Sequence, residues 1–91
     1  MELVNITNEN FHLIKKNEWY VLFWVTWGEP SFLQIDLFKK ARLKAKCGLI
    51  NVEENHDLAY NNKIELYPTT IYFVNGVEKY RFIGLFDGGI T

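Results

Sequence analysis

The longest unbroken apolar stretch, Trp19-Tyr20-Val21-Leu22-Phe23-Trp24-Val25, shows no polar alternation. That pattern predicts a strand over Tyr20 to Thr26, central in its sheet and covered on both faces. Before it, Glu2 to Ile6 predicts a short edge strand, and Thr7 can cap a helix running to about Asn17 with Phe11, Leu13 and Ile14 on its inner face. After it, Pro30 suits the first turn of a helix reaching about Ala45. Leu33, Leu37, Phe38 and Ala41 recur there at helical spacing, and the basic residues Lys39, Lys40, Arg42 and Lys44 fall late, where they favour the helix dipole. Cys47 to Val52 predicts the next strand, and Asn55 caps a shorter helix through about Lys63. The strongest local signal is Thr69 to Val74 and Val77 to Ile83 joined by Asn75-Gly76, a hairpin with a type I′ turn. The order βαβαβαββ implies an α/β fold with a sheet of mixed direction and helices on both faces.

Several stretches add chemistry to that pattern. Trp27-Gly28-Glu29-Pro30-Ser31 joins the central strand to the second helix, preceded by Phe23-Trp24-Val25-Thr26. Asn51-Val52-Glu53-Glu54-Asn55 ends the third strand, Tyr67-Pro68-Thr69-Thr70-Ile71-Tyr72-Phe73-Val74-Asn75-Gly76 leads through the hairpin turn, and Gly84 follows the last strand. In order and in register, from about Glu2 to Gly84, these resemble the thioredoxin family. Its Phe-Trp-Ala-x-Trp-Cys-Gly-Pro-Cys segment, Asn-x-Asp-x-Asn loop and Ile-Pro-Thr strand fall at matching positions. The resemblance implies a thioredoxin-like fold over residues 1–91 as a single domain, with a core to residue 84 and a short tail at 85–91. It also implies a cis Pro68, an isomer seldom tolerated without a structural reason.

The same resemblance marks what differs. The family's two reactive cysteines correspond to Gly28 and Ser31, its buried aspartate to Leu22 and that residue's lysine partner to Leu49. A reactive cysteine at a helix N-terminus is a thiolate at neutral pH, and a second one resolves the mixed disulfide. Glycine and serine do neither. Replacing a buried ion pair by two leucines suits stability rather than proton transfer. The expectation is therefore a protein that is not an enzyme and is redox-inactive, with no cofactor and no metal. The family's last helix has no counterpart, since only Leu85 to Thr91 follow Gly84 and Gly88-Gly89 resist helix formation. An apolar strip near Phe82 and Phe86 is expected to open where that helix lies, unless the tail folds back over it.

Composition narrows the options further. Ninety-one residues, 48% hydrophobic and 16% aromatic, fit one packed domain. A net charge of −1 gives no drive toward nucleic acid or an anionic membrane. The chain's start lacks a signal-peptide pattern, and no apolar run approaches a membrane span. With a single cysteine there is no internal disulfide, so the expected location is intracellular, in the cytoplasm.

Other candidate chemistry is weaker. Cys47, in a strand expected to be central, reads as a small buried hydrophobe; as a reactive thiol it would need exposure beside Lys44 or Lys46. Ser31 as a nucleophile needs a histidine, and His12 and His56 belong to helices expected on the opposite sheet face. Glu53, Glu54, His56 and Asp57 read as solvated acids at a helix N-terminus rather than metal ligands. In the family, the Trp before the motif, the residue preceding the cis-proline and the glycine after the last strand shape a substrate groove. Those are Trp27, Tyr67-Pro68 and Gly84. The expected function is binding a protein partner, by β-strand addition in this groove, through the face left by the last helix, or both. Residence in a larger assembly and homodimer formation both fit. The alternative is a thiol- or glutathione-linked redox enzyme using Cys47 or the helix N-terminus at Ser31.

Overall fold

The computed structural model describes residues 3–27, 29–40 and 45–85. A five-stranded sheet runs in the order β1-β3-β2-β4-β5. The strands are β1 (Leu3–Asn5), β2 (Glu18–Trp24), β3 (Lys46–Asn51), β4 (Thr69–Val74) and β5 (Val77–Ile83). β3 pairs in parallel with both β1 and β2, while β2–β4 and β4–β5 are antiparallel. The mixed sheet expected from the sequence is present. β2 lies at its centre, and Val21, Leu22 and Phe23 are fully buried there, as a strand without polar alternation requires.

The helices depart from expectation. Between β1 and β2 the chain forms only a 3₁₀ helix, Phe11–Lys15. The reason lies in its polar lead-in. Asn10 Oδ1 accepts the Thr7 N–H at 2.6 Å, and Thr7 Oγ1 accepts the Glu9 N–H at 3.2 Å. These local bonds give residues 7–10 a turn in place of a helical start, and Asn17, at φ 73°, reverses the chain before β2. Ile14 is buried and Phe11 packs on the core, but Leu13 is exposed. α1 spans Glu29–Lys40. It does not reach Ala45, which lies in a bend, and the expected inward positions Ala41 and the late cations Arg42 and Lys44 lie outside the described residues. Phe38 is fully buried on this helix, whereas Leu33 is half exposed. α2 is shorter than expected, His56–Asn61. Asn55 precedes it but makes no side-chain cap; its Nδ2 donates instead to the Asn51 carbonyl at 2.9 Å.

The hairpin follows the sequence closely. Asn75 and Gly76 have φ of 50° and 84°, the two positive values that a type I′ turn needs. Asn75 Oδ1 also accepts the Asn17 N–H at 3.0 Å, and the Asn75 N–H donates to the Asn17 carbonyl at 3.0 Å. The turn is thus stitched to the start of β2.

Two clusters flank the sheet. The larger joins Ile14, Leu58, Ala59 and Ile64 to Val21, Phe23, Ile50, Ile71 and Phe73. The smaller holds Leu22, Phe38 and Cys47, with Leu49, Ile35, Tyr20 and Trp24 packed around them. Full burial of one large aliphatic or aromatic side chain contributes about 1.5–3 kcal/mol, so the larger cluster supplies most of the driving force. Leu22 and Leu49 face each other in the β2–β3 register, two apolar neighbours in the smaller cluster. On this same face Tyr20, Tyr72, Tyr80 and Phe82 form an aromatic row with successive centroid separations of 4.7, 6.2 and 6.4 Å. The Tyr72 hydroxyl donates to the Glu18 carboxylate. The expected open strip and the absence of a last helix turn on Phe86 and its neighbours, and residues 86–91 lie outside the described residues.

Candidate functional site

β2 ends at Trp24, and the chain then crosses above the sheet to α1 through Val25, Thr26 and Trp27. Trp27 is 74% exposed. Its ring meets the edge of Tyr67 at 6.3 Å and 88°, a geometry that the charge distribution of aromatic rings favours. Tyr67 is partly buried against the larger cluster, so an anchored ring supports an exposed one. The peptide bond between Tyr67 and Pro68 is cis, as expected.

Around Pro68 the backbone is tied down at specific atoms. Gly84 donates its N–H to the Pro68 carbonyl at 2.9 Å, and Thr69 Oγ1 donates to the Leu66 carbonyl at 2.6 Å. Gly84 has φ 88°. A Cβ there would meet nothing within 4 Å, so glycine is required for its backbone conformation and not for space. Among the described residues, the Tyr67 N–H and carbonyl have no hydrogen-bond partner. The structure therefore brings Trp27, Tyr67, Pro68 and Gly84 to one end of the sheet. Gly28 and the side chains of Glu29, Pro30 and Ser31 lie outside the described residues.

The remaining candidates sit elsewhere. Cys47 is fully buried beneath α1, and burial pushes its thiol up to about 11, so it is protonated at neutral pH. His12 and His56 belong to the 3₁₀ helix and α2, whose apolar residues pack into the larger cluster, opposite the face that Phe38 of α1 covers. Among the described residues no three His, Cys, Asp or Glu side chains gather as metal ligands. Nor is any described helix long and apolar enough to cross a membrane. One depression of about 510 Å³ lies at the end of α2, lined by Tyr60, Asn61, Lys63, Ile64 and Glu65, and another of about 240 Å³ reaches Leu66 and Thr69, which flank Tyr67-Pro68.

Sequence reasoning missed the role of Glu53. Its carboxylate accepts both the N–H and the hydroxyl of Thr26, and these bonds hold the Glu53 carboxyl below the usual range. Both residues flank motif positions, but nothing in either stretch alone signals that they meet.

The sequence matches no family profile. It is 38% identical over 79 residues to a thioredoxin of Mycoplasma genitalium, covering 84% of this chain and 76% of that protein. To a thioredoxin of Mycoplasma pneumoniae it is 34% identical over 71 residues, 75% of this chain and 70% of the relative. Among solved structures, a Schistosoma mansoni thioredoxin superposes with a TM-score of 0.86 at 22% identity, covering 98% of this chain and 89% of its own. A Halobacterium salinarum thioredoxin gives 0.86 at 20% identity, with 94% and 80% coverage. The structural likeness shows the thioredoxin-like fold. The curated relatives correct one expectation. That the chain is not an enzyme was inferred from positions 22, 28, 31 and 49, whereas the match extends over 79 residues to proteins named thioredoxin, disulfide oxidoreductases. Departures at those four positions are too narrow a basis against that, and the expectation does not stand.

Proposed function

The chain belongs to the thioredoxin family, and from that premise we propose that it captures an extended segment of a protein partner in the groove of Trp27, Tyr67, Pro68 and Gly84. The observation that carries this reading is the backbone of Tyr67, whose N–H and carbonyl lack partners among the described residues. Its neighbours are otherwise engaged, the Pro68 carbonyl by Gly84 and the Leu66 carbonyl by Thr69. An extended peptide laid alongside would supply the two missing bonds, and strand addition of this kind draws its affinity from main-chain pairing. Trp27 and Tyr67 are residue types that anchor interfaces through large area and low rotamer entropy. The partner is a protein, met transiently or as a fellow subunit of a larger assembly, with no part for nucleic acid or a membrane.

The test is selection of a peptide from a random display library on the wild-type chain, followed by titration. Trp27→Ala and Tyr67→Ala are each expected to weaken that peptide roughly tenfold or more, with unchanged circular dichroism. Methylation of the peptide nitrogen that pairs with the Tyr67 carbonyl is expected to abolish binding. Undiminished affinity in both variants would exclude the groove.

A further inference from the structure

Thr26 immediately precedes Trp27. Its N–H and Oγ1 donate to the same oxygen, Oε1 of Glu53, at 2.5 and 2.7 Å. Glu53 is itself held in place. Its N–H donates to Asn51 Oδ1 at 2.9 Å, and Asn55 Nδ2 donates to the Asn51 carbonyl at 2.9 Å. One residue earlier, the Val52 N–H donates to the Trp24 carbonyl at 2.9 Å. The connection from β3 to α2 is thus clamped on both sides of Thr26's contact. By contrast, Trp27 makes no hydrogen bond among the described residues. Its ring touches Tyr67 by an edge and is otherwise largely in solvent. The backbone just before the ring is fixed by a carboxylate from a different loop.

We propose that Glu53 is a positioning residue: by holding Thr26 through two charge-assisted hydrogen bonds, it sets Trp27 against Tyr67 in the conformation that receives the peptide. This rests on the groove reading above. Hydrogen bonds to an ionised acceptor are roughly twice as strong as neutral ones, and two on one oxygen fix Thr26 at both its backbone and its side chain. An exposed aromatic anchor held in its bound orientation binds more tightly, because less freedom is lost on association.

The experiment uses the full chain, the peptide selected above, and two variants. Glu53→Gln keeps an oxygen that accepts from Thr26 but loses the charge; Glu53→Ala removes the acceptor. The first readout needs no peptide: the Thr26 amide shift and the heteronuclear NOE of the Trp27 indole N–H in the free protein. Glu53→Ala is expected to move the Thr26 amide upfield and lower the Trp27 NOE, with Glu53→Gln between it and wild type. Peptide affinity is expected to fall in the same order, by roughly tenfold for Glu53→Ala. An unchanged Trp27 NOE in Glu53→Ala overturns the proposal. So does a lowered NOE with unchanged affinity, which leaves the groove reading intact. Undiminished affinity in both Trp27→Ala and Tyr67→Ala sinks the groove reading itself, and Glu53 then positions nothing that binds.

Discussion

At the scale of single residues, burial decides what Cys47 does. The thiol is fully enclosed, and desolvation lifts it from an ordinary 9.0 to about 11, because a thiolate there would have no water to stabilise it. The sign of the pH effect follows. The folded protein keeps this proton to higher pH than the unfolded chain, so its contribution to stability is complete below about 9 and is lost as pH rises toward about 11. That difference corresponds to on the order of 3 kcal/mol. Tyr20 and Tyr72 are also raised and steepen the same limb. Urea titrations at successive pH values are therefore expected to show a decline between pH 9 and 11 that is shallower in Cys47→Ala. An identical slope in the variant would show that the thiol ionises freely. Below that range, modification of the native thiol by a disulfide reagent is expected to wait on unfolding. Burial of this residue was legible in its surroundings, since a cysteine in an apolar strand is ordinarily a small hydrophobe. The sequence could not supply Glu53, whose partner Thr26 lies 27 residues away and is set by which two connections meet at the end of the sheet.

At the scale of elements, the strands were legible throughout, whereas of the helices the starts of α1 and α2 were legible and their lengths and the first helix were not. Each strand lies within two residues or so of its expected span, because period and apolar content act directly on sheet position. The first helix failed because Thr7 and Asn10 bond the backbone locally, a competition that hydrophobic spacing does not register. Likewise Asn55 has the right identity for a cap but spends its amide on Asn51. Arg81 shows a linkage between elements that no pattern announces. Its Nη1 donates to the Lys63 carbonyl at 2.8 Å and its Nη2 to the Asn62 carbonyl at 2.7 Å. Those carbonyls follow the C-terminal end of α2, where a cation is favoured. Nε and Nη2 also donate to Glu78, at 3.0 and 2.8 Å. One side chain thus ties β5 to the chain leaving α2, just before the segment that carries Pro68. Arg81→Lys supplies charge without the planar fork. Arg81→Ala is expected to cost about 1–3 kcal/mol and Arg81→Lys to recover less than half, by chemical denaturation. Full recovery by lysine would reduce the contact to simple charge.

At the scale of the whole molecule, the two faces of the sheet are unequal, and this bears on the groove. The larger cluster gathers the 3₁₀ helix, α2 and four of the five strands. α1 is anchored differently. Among its described apolar side chains only Phe38 is fully buried, with Ile35 packed beside it and the polar Gln34 enclosed as well, while Phe32 and Leu33 are half exposed. An element that encloses little apolar surface opens at lower free energy than the sheet beneath it. Hydrogen exchange is therefore expected to rank the amides of α1 below those of β2, β3 and β4. Phe38→Ala removes the anchor at a cost of about 3–5 kcal/mol, and it is expected to bring α1 exchange close to the unprotected rate while the central strands keep a measurable barrier. Because α1 begins at Glu29, two residues after Trp27, the same variant is expected to weaken peptide capture more than its loss of global stability explains. Equal exchange free energies for α1 and β2 would mean that the sheet and helix open together, and the groove would then be as rigid as the core.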